Sequence, residues 1–310
     1  LVNTPANILG PRELFKEAKK IFSKSADKII ETEGKELKEK FPLVYSVGMG
    51  AENKRKPIFS EFIWKSKNKK TIILIGKGVC FDTGGLNLKL GAGMNLMKKD
   101  MGGAANCIGL AKMITEKKLD INLRLLLPIV ENSLSGRAMR PSDIIKSRKG
   151  IYIEIGDTDA EGRLILADAL FYASEKKPDL IIDMATLTGA SRVALGTDVP
   201  SFFTNHEKIA ENLIKFSKLC GDPLWQLPLW RNYTNQLHSN HADTNNIGSS
   251  NFGGAITAAL FLEKFVKKEI PWIHIDLMSW SLNKNLTSYV GGEVMGIRSL
   301  FHLIKDISNN

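Results

Sequence analysis

The segment TIILIGKGVCFDTGGLNLKLGAG, residues 71–93, joins an apolar run to a glycine-rich loop. The run Thr71–Ile75 is typical of a buried strand, and the glycines after it allow the backbone to turn tightly and approach a ligand. A helical pattern at Glu161–Lys176 lies between strand-like runs at 151–155 and 179–187. That order favours a crossover between parallel strands. The sequence therefore predicts an α/β fold.

The remaining elements follow from hydrophobic periodicity. Further helices are predicted at Pro11–Ser23, Ala26–Lys40, Gly103–Lys118, Glu207–Leu219, Gly254–Lys268 and Gly296–Ile304. Further strands are predicted at Leu43–Val47, Phe59–Trp64, Asn122–Leu127 and Trp272–Asp276. The stretch His238–Phe252 is rich in Asn and Ser and is interpreted as one long loop. Loops of that length often border active sites.

Composition indicates one ordinary globular domain, because the chain has 310 residues of which 43% are hydrophobic. The longest apolar runs are too short and too interrupted to cross a bilayer, so no membrane span is expected. No signal peptide is visible in the first ten residues, and the three cysteines show no paired spacing. A reducing cytoplasm is the expected location.

The net charge of +10 raises the question of a nucleic-acid partner, since clustered Lys and Arg bind phosphates. The basic clusters lie at residues 65–70, 117–118, 176–177 and 267–268, scattered along the chain. Most fall in turns or at the ends of helical patterns, where cations face solvent. A solvated surface is therefore favoured, and DNA binding stays open as an alternative function.

Four acidic residues occur where strands are expected to end. Asp82 and Asp100 flank the glycine-rich loop, and Asp159 and Glu161 precede a helix. Carboxylates two residues apart in an extended segment point to the same side, so the second pair is expected to reach one point. Phosphate-loop, HExxH and GxSxG motifs are absent from the sequence. A carboxylate metal site is therefore the favoured interpretation.

Three segments, GKGVCFDTGGLNLK, MKKDMGGAA and DTDAEGRL, resemble signature blocks of the cytosolic leucyl aminopeptidases. TLTGA at 186–190, GRAMRPSDII at 136–145 and the opening VNTPAN are also similar to blocks of that family. The resemblance implies that residues 1–310 form a catalytic domain with a mixed, largely parallel central sheet flanked by helices. It also implies a homo-hexamer, and the family's smaller N-terminal domain is expected to be absent from these residues.

The same resemblance implies two divalent metal ions, zinc or manganese. Lys77, Asp82, Asp100 and Glu161 would hold one ion, and Asp82, Asp159 and Glu161 the other. Taken singly, each residue is explained as well by a turn, a cap or the surface, but together they match the family spacing. Two nearby dications and burial would lower the pKa of Lys77, whose amine binds metal only when neutral. Four carboxylates would then balance two dications.

The resemblance further implies that Lys89 and Arg163 are catalytic cations, with Arg163 holding a bicarbonate that acts as general base. Met97, Thr186 and Gly189 would line the pocket for the substrate side chain, although core packing explains these three nearly as well.

The activity implied is hydrolysis of the N-terminal peptide bond of peptides, with Leu and other apolar first residues preferred. One departure from the family pattern is Asp157, where members usually carry Asn, which adds a negative charge beside the site. A degenerate scaffold without catalysis is a further alternative, and the complete ligand set argues against it.

Overall fold

The structure is a computed structural model that describes residues 1–67, 70–282 and 289–309. Its α-helices are α1 (Pro11–Phe22), α2 (Gly34–Lys40), α3 (Pro42–Gly48), α4 (Gly102–Glu116), α5 (Glu161–Glu175), α6 (Gly189–Leu195), α7 (Glu207–Cys220), α8 (Gly254–Glu263) and α9 (Ile297–Asn309). Its strands are β1 (Lys28–Glu33), β2 (Ile58–Trp64), β3 (Thr71–Gly76), β4 (Gly78–Asp82), β5 (Asn122–Asn132), β6 (Ile144–Lys146), β7 (Tyr152–Glu154), β8 (Leu180–Ala185), β9 (Ser201–Thr204), β10 (Trp225–Gln226), β11 (Thr244–Asn245), β12 (Trp272–Asp276), β13 (Trp280–Ser281) and β14 (Gly291–Gly292).

Nine of the described strands form one mixed sheet in the order β1-β2-β5-β3-β8-β12-β9-β10, with β4 beside β5. The central strands β5, β3, β8 and β12 are parallel to their neighbours in this run. Antiparallel pairing joins β1 to β2, β2 to β5 and β9 to β12. The predicted α/β fold, with a mixed, largely parallel central sheet flanked by helices, is confirmed.

Both faces of the central strands are buried, as expected when helices cover a parallel sheet on each side. In β3, Ile72 and Leu74 pack into one hydrophobic cluster, and Ile73 and Ile75 pack into the other. This alternation follows from the period of two along a strand. Polar residues lie at the carboxyl ends of three strands, where Lys77 follows β3, Asp82 ends β4 and Thr186 follows β8.

The predicted helix Ala26–Lys40 is wrong in its first half. Residues Lys28–Glu33 form the edge strand β1, and α2 begins only at Gly34. Gly34 has a φ of +60°, which interrupts any continuous helix at that point. Arg12 on α1 forms ion pairs with Glu31 and Glu33, which fasten this edge of the sheet to α1.

Two strand predictions also need correction. Leu43–Val47 is not a strand but lies within α3, where Pro42 occupies the first turn. A short apolar run of this kind fits a buried helix as well as a strand. The run at 151–155 forms β7, which pairs with β6 and β11 in a separate three-stranded sheet. The expected parallel crossover between this run and β8 is therefore wrong.

Helix length and composition bear on membrane insertion. Within residues 1–67, 70–282 and 289–309, every helix falls short of the length and apolarity that a bilayer span needs.

Helix α5 is anchored by a buried carboxylate, Asp168. Its Oδ2 accepts a hydrogen bond from the backbone N–H of Leu43 at 2.8 Å, and its Oδ1 accepts one from Arg148 N–H at 2.8 Å. The side chain has no exposed surface. Because α5 begins at Glu161, Asp168 fixes the helix whose first turn reaches the predicted site.

We expect Asp168→Ala to lower the free energy of unfolding by about 2–4 kcal/mol, because the buried N–H of Leu43 and the part-buried N–H of Arg148 lose their acceptor. Urea denaturation measures this change. Glu175→Ala on the same helix is the matched control, because Glu175 is exposed and pairs with Arg148 at the surface. That control should cost less than about 1 kcal/mol. Equal losses in the two variants would contradict the anchoring role.

Candidate metal centre

The predicted site residues meet at the carboxyl edge of the central sheet. Lys77 follows β3 directly, Asp82 ends β4, and Glu161 begins α5. A cleft of about 520 Å³ opens at this edge. Nine of the ten predicted residues line it, namely Lys77, Asp82, Lys89, Met97, Asp100, Asp159, Arg163, Thr186 and Gly189. Glu161 is buried behind the cleft wall.

Carboxylate oxygens of Asp82, Asp159 and Glu161 lie within 4.8 Å of one another. Lys77 Nζ lies 2.9 Å from Glu161 Oε1 and 2.8 Å from Asp100 Oδ2, so Lys77 joins this cluster to Asp100. Asp159 and Glu161 do converge, although the extended segment expected between them is a turn that leads into α5. Glu161 therefore belongs both to the carboxylate group with Asp82 and Asp159 and to the ion-paired group with Lys77 and Asp100.

The chemistry of this cluster suits divalent cations. Among the described residues, Oε2 of Glu161 has no hydrogen-bond donor, and Oε1 of Glu161 and Oδ2 of Asp100 have only the Lys77 ammonium at ion-pair distance; all three atoms are buried. Buried acceptors without partners are costly in a folded protein. Carboxylate oxygens and a neutral amine are ligands that zinc and manganese accept. The residues present therefore fit the metal ions that the sequence analysis predicts.

Charges within the cluster shift the acid–base equilibria strongly. Burial raises the pKa of Glu161 and of Asp159, and the nearby Asp82 carboxylate raises both further. Burial lowers the pKa of Lys77, but the carboxylates of Asp100, Glu161 and Asp82 outweigh that effect and raise it overall. When only carboxylates surround it, the Lys77 amine is protonated and carries a positive charge. A neutral Lys77 therefore requires additional positive charge in the cluster.

The two predicted catalytic cations face the same cleft. Lys89 Nζ lies 2.8 Å from Asp82 Oδ2 and also forms an ion pair with Asp159. Arg163 donates a hydrogen bond from Nη1 to the backbone oxygen of Asn246 at 2.7 Å. Burial lowers the pKa of Arg163 to about 10, so its guanidinium stays cationic at neutral pH.

Glycines allow the close approaches that the cluster needs. Gly84 and Gly85 have φ values of +89° and +66°, and Gly84 N–H donates to Asp82 Oδ1 at 2.9 Å. A Cβ atom on Gly162 would lie 2.6 Å from Lys77 Cε. The Lys77 side chain therefore occupies space that only glycine leaves open at the start of α5.

Sequence reasoning missed two polar residues that hold the glycine-rich loop. Asn132 donates from Nδ2 to Asp82 Oδ1 at 2.8 Å and to the backbone oxygen of Thr158 at 3.1 Å. Thr158 donates from Oγ1 to the backbone oxygen of Gly84 at 2.6 Å. Asn132 ends β5, so its position at a strand terminus was the available signal.

A third missed residue, Asn246, clamps the loop that carries Asp159. Its Oδ1 accepts from the N–H groups of Gly156 at 2.7 Å and Asp157 at 3.2 Å. Its Nδ2 donates to the backbone oxygen of Asp157 at 2.7 Å, and its own backbone oxygen holds Arg163. Asn246 belongs to the predicted loop His238–Phe252, which borders the site and contains only the short strand β11.

The atypical Asp157 has a structural role. Its Oδ1 accepts a hydrogen bond from the backbone N–H of Asp159 at 2.8 Å, and it lines the cleft. The side-chain oxygen of an Asn would accept the same hydrogen bond. Asp157 therefore preserves the turn that presents Asp159 while adding a carboxylate to the cleft.

The predicted pocket residues Met97, Thr186 and Gly189 also line the cleft. Thr186 also donates from Oγ1 to Asp100 Oδ1 at 2.6 Å, and its backbone oxygen accepts from Lys77 Nζ at 3.1 Å. Lys99 lines the same cleft, and sequence reasoning missed it. Burial lowers the pKa of Lys99 to about 8, against the opposing effect of Asp100.

Comparison with known proteins identifies the family. Residues 1–301 match the model of the cytosol aminopeptidase family, catalytic domain. The chain belongs to the cytosol aminopeptidase family. The resemblance found in its sequence blocks is thereby confirmed.

Curated members of the cytosol aminopeptidase family align with most of the chain. The probable cytosol aminopeptidase of Sulfurihydrogenibium sp. is 44% identical over 279 residues, which are 89% of this chain and 55% of that protein. Leucine aminopeptidase A2, chloroplastic, of Solanum lycopersicum is 42% identical over 300 residues, which are 93% of this chain and 52% of that protein. The chain thus spans little more than half the length of these relatives.

Solved structures share the fold. The crystal structure of cytosol aminopeptidase from Coxiella burnetii superposes with a TM-score of 0.96 at 46% identity, covering 99% of this chain and 66% of that chain. The bottromycin maturation enzyme BotP, in complex with Mn, gives a TM-score of 0.94 at 34% identity, covering 99% of this chain and 68% of that chain. The cytosol aminopeptidase family is metal-dependent, and this structural relative binds manganese.

We expect Asn246→Ala to weaken Mn²⁺ binding by about tenfold or more, because supporting hydrogen bonds of this kind tune metal affinity by 10–100-fold. Titration calorimetry of the purified chain with Mn²⁺ measures the effect. Asn240→Ala in the same loop is the control, because Asn240 is exposed and its side chain contacts His238. Parent-like Mn²⁺ affinity in Asn246→Ala would contradict the clamp.

Proposed function

We propose that the chain is a metal-dependent aminopeptidase that hydrolyses the N-terminal peptide bond of peptides. The observation that carries this proposal is the buried Glu161 carboxylate, which has Lys77 Nζ 2.9 Å from Oε1, no donor at Oε2, and carboxylate oxygens of Asp82 and Asp159 within 4.8 Å. Membership of the cytosol aminopeptidase family supports the reaction class.

The proposed centre takes two divalent ions, zinc or manganese. Lys77, Asp82, Asp100 and Glu161 would hold one, and Asp82, Asp159 and Glu161 would hold the other. When bound, such a pair polarises the peptide carbonyl, activates water and anchors the free α-amine of the substrate. That requirement for a free amine is what restricts hydrolysis to the first peptide bond.

The protein's own cations complete the proposed chemistry. Lys89 places an ammonium beside Asp82 at the cleft, where it would stabilise negative charge on the carbonyl oxygen in the transition state. Arg163 is held by Asn246 with its guanidinium at the cleft, where it would hold a bicarbonate as general base. Water is excluded from the deeper side of the cluster by the buried start of α5.

Substrate preference, cell location and assembly belong to the same proposal. Leu and other apolar first residues would lie against Met97, Thr186 and Gly189, and a relative named leucine aminopeptidase supports that preference.

The names of curated relatives support a cytoplasmic location. A homo-hexamer remains the proposed assembly. The exposed apolar side chains of Leu219 and Trp225 would favour self-association.

We expect exhaustive chelation to abolish release of p-nitroaniline from Leu-p-nitroanilide and added Mn²⁺ to restore it.

Lys89→Ala should lower kcat about 100-fold or more with metal content kept, because it removes transition-state stabilisation. Asp159→Ala should instead lose bound metal, measured by elemental analysis. Lys98→Ala, at a lysine that does not line the cleft, serves as control. Full activity in the chelated protein would overturn the proposal.

DNA binding stays a separate prediction for this basic chain. If a nucleic-acid surface exists, retention on double-stranded DNA should fall steeply as salt rises, because counterion release drives such binding. A gel-shift titration at increasing NaCl concentrations measures this dependence. Absent retention at low salt, or retention insensitive to salt, would exclude it.

A further inference from the structure

Lys99 is a buried lysine in the cleft wall without a partner. Its relative exposure is 2%, yet it lines the cleft beside Met97 and Asp100. Across residues 1–67, 70–282 and 289–309, its side chain takes part in no hydrogen bond and no ion pair. An unpaired buried ammonium is costly, because desolvation of the charge is not repaid.

The nearest acidic groups are already engaged. Asp100 contacts Lys77 at 2.8 Å and accepts from Thr186 at 2.6 Å. Asp276 accepts from Thr188 Oγ1 at 2.5 Å and from two backbone N–H groups of the same turn. Arg192, which lines the same cleft, adds positive charge. Asp100 and Asp276 therefore bind other donors, and neither forms an ion pair with Lys99.

The neighbouring Lys98, by contrast, has partners. Lys98 donates from Nζ to the backbone oxygen of Asn3 at 2.9 Å and lies over the Trp280 ring at 5.3 Å. It does not line the cleft. Lys99 thus differs from Lys98 in that its side chain is buried, lines the cleft and makes no hydrogen bond or ion pair with the described residues.

Lys99 lies close to the place where the side chain of a substrate's first residue would bind. Asp100 is a proposed ligand of the metal pair that would anchor the substrate α-amine. Lys99 directly precedes Asp100 in the chain. The side chain of an amino acid branches from the carbon that carries the amine, so that side chain must lie close to the anchoring point. Met97 and Thr186 lie in the same part of the cleft.

We propose that Lys99 pairs with a carboxylate on the side chain of the substrate's first residue, so that the enzyme accepts N-terminal Glu and Asp besides apolar residues. This inference rests on the proposed aminopeptidase function. A first residue with a carboxylate repays the desolvation of Lys99, whereas an uncharged residue of the same shape leaves the ammonium unpaired. Buried polar groups of a site discriminate strongly against ligands that leave them unpaired.

The test compares p-nitroanilides of Glu, Gln and Leu on the Mn²⁺-loaded chain, because Glu and Gln differ in charge and hardly in shape. Lys99→Met should lower the Glu-to-Gln ratio of kcat/KM about tenfold or more, while Leu hydrolysis changes less than about threefold. Lys99→Arg keeps the charge and should keep most of the ratio. Lys98→Met should match the parent. Calorimetry should show weaker L-glutamate binding to Lys99→Met only.

Three outcomes overturn the inference or its basis. An unchanged Glu-to-Gln ratio in Lys99→Met, with Leu hydrolysis intact, would assign Lys99 to packing. Equal loss of all three substrates together with a lowered Tm would do the same. If the parent hydrolyses none of the substrates, the proposed function fails, and L-glutamate binding to parent and Lys99→Met then decides the recognition role separately.

Discussion

Four carboxylates crowded into one buried volume impose the main constraint on this molecule. Like charges in a low-dielectric interior repel strongly, and burial together with the Asp82 carboxylate raises the pKa of Asp159 and of Glu161. Two lysine ammoniums, Lys77 and Lys89, lie among them and offset half of the negative charge. The remaining negative charge suits the cluster to the divalent cations proposed for it.

The rest of the fold brings these charged residues together and holds them in place. Parallel strands bring chain segments distant in sequence to one edge, where Lys77, Asp82 and Thr186 follow or end neighbouring strands. Hydrophobic clusters on both faces keep those strands fixed. Glycine at position 162 leaves room for the Lys77 stem, and Asn246 holds the turn before Glu161. These contacts hold the backbone in place, so that the carboxylates cannot move apart to relieve their repulsion.

The sequence was informative where a pattern was long and consistent. The apolar strands and the helices beginning near residues 103 and 161 were predicted well, because periodicity over many residues outweighs local ambiguity. It failed at Leu43–Val47 and Ala26–Lys40, where propensity was ambiguous and sheet pairing or a proline decided the outcome. The proposed ligands came from family blocks. Asn132, Thr158, Asn246 and Lys99 were missed, because their importance depends on partners that are close only in the folded chain.

The long separation between Asn246 and the proposed ligands also affects biosynthesis. Lys77 precedes Asn246 by more than half of the chain, and all five proposed ligands leave the ribosome before it. A nascent chain that ends near residue 200 would carry every ligand but no clamp for the turn and no hold on Arg163. Strand β12, which pairs with β8 beside the cleft, is also still to come. Binding of the proposed ions would therefore stabilise the completed fold more than a partial chain.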